Sequence, residues 1–246
     1  ILMGCDIIDF LEAKIDRTAS RMIVGKMNLV INIDTIATNL QRVRSAAATV
    51  ISTCSGCNFV YATMRNLGFT IDKWYSIDND AVCQRITQQI VPAGQLVQPC
   101  SDVTRVPKWV TKVKFDLHIN TAPCQSFSRC QNQPLGFRDK LRTQPAVASA
   151  ELHTKLRATN PNIRKLVENV DFHPSLKQDE LKFQNMWMDK FHMLNASDFG
   201  SPSSRPRQYM TDIVDLSTLR TVPALSPNEL LPAHRHCDRP HMRCIV

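Results

Sequence analysis

Between Phe115 and Gln125 the chain reads F-D-L-H-I-N-T-A-P-C-Q, and this stretch restricts the fold more than any other. Apolar and polar residues alternate from Phe115 to Ile119, the period-two pattern of a strand. A turn of small residues follows and delivers Pro123, Cys124 and Gln125. Open α/β sheets place their chemistry on loops at the carboxyl ends of the strands, and Cys124 would stand on such a loop. A cysteine alone does not settle the role, because a free thiol serves as readily as a buried packing group.

The rest of the chain repeats the alternation of strand and helix. Thr49 to Thr53 is a β-branched run, Cys54 to Asn58 is a turn, and Phe59 to Leu67 has helical spacing with Gly68 as its C-cap. Trp74 to Ala81 reads as a second strand, and Ser101 to Thr104 as the end of a third. Phe115 to Asn120 is the fourth, and Leu166 to Val170 is another. Glu151 to Arg157 reads as a helix ended by Asn160-Pro161, and Asp179 to Leu194 as a second with Leu181, Met188 and Phe191 toward the core. Strands alternating with helices predict a three-layer α/β fold with a mostly parallel sheet. The 246 residues, 43% of them hydrophobic, suffice for one such domain.

Charge narrows the partners. Thirty Lys and Arg against 22 Asp and Glu leave a net charge of +8, which suits a polyanion whose phosphates release counterions on binding. Nine cysteines without a paired framework point to a reduced, intracellular chain. Cys54 and Cys57 have C-x-x-C spacing without a second pair, and His234, His236, Cys237, His241 and Cys244 match no standard finger, so no metal is expected. No apolar run reaches membrane-spanning length, so no membrane partner is expected.

Three ordered motifs carry a resemblance. Pro123-Cys124-Gln125 comes first, then Glu168-Asn169-Val170. Asn195-Ala196-Ser197-Asp198-Phe199-Gly200-Ser201-Pro202 follows, with Arg205-Pro206-Arg207 after it. Together they resemble the cytosine-C5 DNA methyltransferase family, from about Val50 to Leu216. The resemblance implies a Rossmann-like fold that binds S-adenosylmethionine and methylates cytosine in DNA, in the nucleus if the source is eukaryotic and in the cytoplasm if bacterial or phage. A tRNA cytosine methyltransferase uses the same P-C-Q and E-N-V motifs. A non-catalytic DNA-binding paralogue would keep the fold alone.

Carried over residue by residue, the resemblance makes Cys124 the nucleophile, held between Pro123 and Gln125. Glu168 would contact the ring nitrogen and amine of the base, and Asn169 would orient the loop backbone. Arg207 would support the base's O2, with Arg205 beside it. The thiol would need its pKa lowered by nearby positive charge, and Glu168 would need to hold or share a proton. The resemblance assigns the cofactor to Ser55, Gly56, Cys57, Asn58 and Phe59, to Asp78 and Asn79, to Asp102 and Val103, to Pro123, and to Asn28 and Val30. Asn58 and Phe59 replace smaller residues of the family, which predicts weakened cofactor binding. Read without the family, Asp78 and Asp102 are equally helix N-caps. Arg129, Arg138, Lys140 and Arg142 would lie in a loop that meets phosphate, or in an ordinary solvated loop.

Leu2-Met3-Gly4 and the run from Val24 to Ala37 are similar to the family's final motifs, here at the front of the chain. This implies a circular permutation, or a segment cut across tandem copies. Residues 1–45 would then pack on a catalytic domain of residues 46–222 with a helix over 34–40. Residues 223–246 would be a tail or the start of a target-recognition region that is largely missing.

Overall fold

The computed structural model describes residues 47–199, 204–216 and 219, together with the backbone of three short strands nearer the front. These are β1 (Ala13–Asp16), β2 (Arg21–Val24) and β3 (Leu29–Asn32), paired antiparallel in a sheet of their own. Val30 lies in β3 opposite Ile23. Asn28, the helix expected over 34–40 and the tail 223–246 lie outside the described residues.

The main sheet has seven strands: β4 (Ala48–Thr53), β5 (Ile71–Ile77), β6 (Leu96–Val97), β7 (Leu117–Asn120), β8 (Arg164–Val170), β9 (His192–Asn195) and β10 (Pro206–Thr211). Their order is β6-β5-β4-β7-β8-β10-β9. β10 runs antiparallel to both neighbours, and the remaining pairs are parallel. Among the described residues four α-helices accompany it: α1 (Phe59–Asn66), α2 (Ala81–Ile90), α3 (Lys140–Thr159) and α4 (Lys177–Trp187).

Alternation along the strands sends side chains to two separate cores. Val50, Trp74 and Ile119 meet Tyr61 and Met64 of α1 and Val91 just after α2. Ile51 and Ile77 meet Leu152 and Leu156 of α3 on the opposite face. Val167 and Met210 extend that second face to Phe183 and Trp187 of α4. The fold is therefore helix, sheet, helix, as the alternation predicts.

The second face also carries a buried polar core. His118 of β7 is fully buried between the Thr53 hydroxyl, 3.0 Å from its Nε2, and His153 of α3, whose Nδ1 lies 3.2 Å from its own. Burial holds both imidazoles below their usual range, His153 down to about 4, so the pair is neutral at physiological pH.

Several boundaries differ from the sequence reading. The third strand ends at Val97, and Asp102 instead caps a 3-10 turn. α3 begins at Lys140, eleven residues before the expected start, with Asp139 as N-cap. Pro145 inside the helix and weak apolar periodicity hid its first half. α4 ends at Trp187, where Met188 turns left-handed at φ 51°, and does not continue to Leu194. Its core residues are Phe183 and Trp187, whereas Leu181 and Met188 are exposed; Phe191 does pack against the core.

Candidate active site

The register explains how distant motifs converge. Asn120, the last residue of β7, pairs with Val167, so Glu168, Asn169 and Val170 run on beside the loop that carries Cys124. Because β10 is antiparallel, its beginning, not its end, lies at that carboxyl edge. Arg207 pairs with Val170 and Tyr209 with Glu168. Directly opposed residues share a face, so Arg207, Tyr209 and Glu168 point the same way.

The contacts bear this out. Arg207 Nε lies 3.1 Å from Glu168 Oε1, and both side chains are half-buried. The Arg207 Nη1 also donates to the carbonyl of Pro206 at 2.7 Å. Arg205 donates its backbone N–H to Asn195 Oδ1 at 2.7 Å, while its Nε is buried without a protein partner. Asn169 faces the other side of β8. It is fully buried, its Oδ1 accepts the N–H of Val170 at 2.9 Å, and its Nδ2 has no partner.

Burial raises the Glu168 carboxyl above its usual value, while Arg207 and Arg205 pull it back. The shift is in the direction that the resemblance asks of Glu168. Cys124 goes against expectation: burial, then the Glu168 charge, raises its thiol, and Arg207 offsets only part. The Arg207 guanidinium near Cys124 is already shared with a carboxylate. Tyr209 was overlooked in the sequence although it continues the alternation of Arg205 and Arg207. Burial and then Glu168 push its phenol up to about 12.

The Cys124 loop is tied down from both ends. Gln125 is exposed and opens a 3-10 turn, Gln125–Phe127, followed by Ser128. The Ser126 hydroxyl donates to Asp139 Oδ2 at 2.8 Å, linking the loop to the cap of α3. Phe127 stacks on Phe172 with ring centres 4.4 Å apart. The four cations expected in a loop are divided. Arg129 pairs with Asp171 at 2.8 Å, Arg138 lies in the 3-10 turn Gly136–Arg138, and Lys140 and Arg142 begin α3. Gly136 is left-handed at φ 55°, and a β-carbon there would fall 2.7 Å from the Asp179 carboxyl. That carboxyl accepts the N–H of Phe137 at 2.8 Å and holds the turn against α4.

A second group of residues surrounds the loop after β4. Cys54, Gly56 and Asn58 all have positive φ, at 53°, 53° and 56°. Asparagine tolerates this backbone better than most residues. The Asn58 side chain is almost fully buried and turns away from the loop surface. Its Nδ2 donates to Ser76 Oγ at 2.8 Å and to Thr87 Oγ1 at 2.7 Å, and its Oδ1 accepts from Trp74 Nε1 at 2.8 Å. The bulk that Asn58 adds is thus accommodated in the core. Ser55 Oγ lies 2.9 Å from Ser76 Oγ, and Phe59 is the first residue of α1.

Asp78 follows β5 directly. Its Oδ2 accepts the N–H of Gly56 at 2.7 Å and its Oδ1 that of Asp80 at 2.9 Å. It is Asp80, not Asp78, that caps α2. Asn79 is exposed beside it. Asp102 accepts from the backbone N–H and hydroxyl of Thr104, the cap role open to it from the sequence, and these bonds lower its carboxyl. Val103, next in the chain, is buried. Among the described residues no group of three or more His, Cys, Asp or Glu could hold a metal. No described helix is long and apolar enough to cross a membrane.

Several solved structures are similar to this chain. A DNA modification methyltransferase encoded within an E. coli prophage has 21% identity and a TM-score of 0.48, covering 67% of this chain and 46% of its own. The Dnmt2 methyltransferase of S. pombe has 19% identity and a TM-score of 0.48, over 68% and 49%. An RNA methyltransferase from Pyrococcus horikoshii has 12% identity and a TM-score of 0.44, over 72% and 77%. The chain thus spans about half the length of the first two structures. No curated protein sequence matches it. The profile described as C-5 cytosine-specific DNA methylase matches residues 48–229, from the start of β4 to beyond β10. The chain belongs to the C-5 cytosine-specific DNA methylase family.

Proposed function

We propose that this chain is the catalytic domain of a DNA cytosine-C5 methyltransferase that uses S-adenosylmethionine and a covalent Cys124 adduct. The observation that carries the reading is the meeting of Cys124, Glu168 and Arg207 at one sheet edge, close enough for both charges to act on the thiol.

The loop after β4 fits the cofactor. A carbon added at Gly56 would meet nothing within 4 Å, so space is open above the loop. Asp78 spends one acceptor site on each oxygen, which leaves lone pairs for the hydroxyls of a ribose. The backbone of Ser55, Gly56, Cys57, Asn58 and Phe59 would hold the cofactor with Asp78 and Asn79, and Asp102 and Val103 would flank its base. Pro123 would border it from the catalytic loop, and Asn28 and Val30 from the front of the chain. When bound, the sulfonium supplies an electrophilic methyl group.

The chain's own residues would do the remaining work. Cys124 Sγ, as thiolate, forms a bond to C6 of the cytosine while Glu168 gives a proton to N3. The ring then carries electron density at C5. Arg207 and Arg205 hold the oxygen side of the ring. After C5 has accepted its methyl group it loses its proton to water, the Sγ–C6 bond breaks, N3 returns its proton to Glu168, and the thiolate is restored. This geometry is closed to a stacked base, so the cytosine must leave the duplex.

A covalent trap tests the reading. DNA containing 5-fluorocytosine, incubated with the protein and S-adenosylmethionine, should give a denaturant-stable adduct that Cys124→Ser does not form. An adduct with the matching RNA and none with DNA would move the substrate to tRNA. Cofactor and DNA binding without any adduct would identify a non-catalytic paralogue.

A further inference from the structure

Cys57 and Cys83 come from different elements, yet their sulfurs lie 3.6 Å apart. Cys57 belongs to the loop after β4, and Cys83 to the first turn of α2. Both thiols are free and half-buried, so a small oxidant can reach them. Burial, followed by the neighbouring Cys57, pushes Cys83 up to about 12, so Cys83 rests as a protonated thiol at neutral pH.

The surroundings make this pair mechanically consequential. Asp78 bridges the same two segments, taking the N–H of Gly56 on one oxygen and that of Asp80 on the other. Asn58, next to Cys57, is bonded to Ser76 and Thr87. A disulfide has sulfurs about 2.05 Å apart. Closing the present gap requires an approach of about 1.5 Å, across a loop already held on both sides by short hydrogen bonds.

We propose that Cys57 and Cys83 form a reversible oxidation site, in which a hydroperoxide links them and the disulfide weakens S-adenosylmethionine binding. The first sulfur attacks the peroxide O–O bond, giving a sulfenic acid and the peroxide's leaving hydroxyl compound. The second sulfur displaces water from the sulfenic acid and forms the S–S bond. The two sulfurs lose two electrons, the peroxide gains them, and both thiol hydrogens leave on oxygen. A dithiol reverses the reaction. The effect on affinity rests on the cofactor reading above, whereas the disulfide itself does not.

The whole chain, treated with hydrogen peroxide and digested without reductant, should give a peptide pair lighter by two hydrogen atoms. Fragmentation should place the link at Cys57 and Cys83 rather than at Cys54. Calorimetry should show affinity for S-adenosylmethionine falling about tenfold or more on oxidation, since displacements near 1 Å are costly in preorganised sites. Dithiothreitol should restore it. Cys83→Ser should form no link and keep its affinity through the peroxide treatment. Absence of the linked peptide overturns the proposal, as does a linked protein with unchanged affinity. If the reduced protein binds no S-adenosylmethionine, the cofactor reading fails on its own. Thermal denaturation then decides: a linked form melting at a shifted temperature supports a strained loop, and an unshifted one overturns it.

Discussion

Replacing Asn58 by glycine, which restores the small residue the family favours, should damage this protein. The carboxamide is 1% exposed and ties the loop after β4 to β5 and α2 through three short bonds, to Ser76, to Thr87 and from Trp74, beside a longer one to Ser55 at 3.2 Å. Each short bond is worth about 1 kcal/mol net, so their loss costs about 3 kcal/mol. Glycine relieves the left-handed backbone at φ 56° and returns at most about 1 kcal/mol. The balance is a destabilisation of about 2–3 kcal/mol, larger if Trp74 Nε1 stays buried without an acceptor. For a domain of this size that lowers the melting temperature by about 4–12 °C. Urea and thermal denaturation measure the loss, and titration with S-adenosylmethionine on the same samples measures affinity. An unchanged melting temperature accompanied by tighter cofactor binding would refute the reasoning. It would mean that the carboxamide occupies ligand space and not the core.

Other expectations follow from the same contacts. Cys124→Ser should abolish methyl transfer while the circular dichroism and melting curve stay near wild type, because the half-buried thiol packs at the edge of the core; retained turnover would remove Cys124 from the reaction. Gly136→Ala should loosen the Cys124 loop by about 1–2 kcal/mol of backbone strain, plus the clash with Asp179. Faster amide exchange at Phe137 and Arg138 reports it. Glu168→Gln should change how stability varies with pH. The folded carboxyl lies above its unfolded value, so its stabilising effect is complete below the ordinary carboxylate range and is lost as pH rises through the raised value. Denaturation of wild type and variant across that window should show the wild type declining and the variant flat.

The legible parts of this fold were those written locally. β4, β7 and β8 stand within three residues of their sequence bounds, since β-branched runs and period-two alternation survive tertiary context. Gly68, at φ 85°, ends α1 as its position suggests. The start of α3 was illegible because Pro145 mimics a helix boundary that the fold overrides. Asp102 has the look of a strand end, but its carboxylate is spent on Thr104, and only coordinates reveal that a cap has claimed it. Asn58 was read as an intrusion, and no local pattern announces that Trp74, Ser76 and Thr87 wait for its carboxamide. Cys57 and Cys83 meet only through the packing of a loop on a helix.

The two groups that the proposed mechanism makes cooperate, Cys124 and Glu168, have shifts of the same sign, and this sets the last expectation. In the proposed mechanism bond formation needs a thiolate at Cys124 and a protonated Glu168, yet burial raises both groups. An ordinary carboxyl titrates well below an ordinary thiol, and burial raises both here. Between the two values the resting pair is therefore thiol and carboxylate, with the carboxylate on Arg207. The competent pair is the same site with one proton moved from sulfur to carboxyl, at unchanged total charge. Its share of the enzyme is small and does not vary with pH inside that interval. Once Glu168 is neutral, the Arg207 guanidinium is released from its partner and its charge falls to the thiolate instead. kcat/KM should accordingly be flat across neutral pH, falling below the raised Glu168 value and again above the raised Cys124 value. Arg207→Leu should lower the plateau by removing the charge that the thiolate inherits. A wild-type profile that climbs steadily through neutral pH toward the thiol range would show that only the thiol's ionisation governs the rate, and would remove the proton on Glu168 from the step.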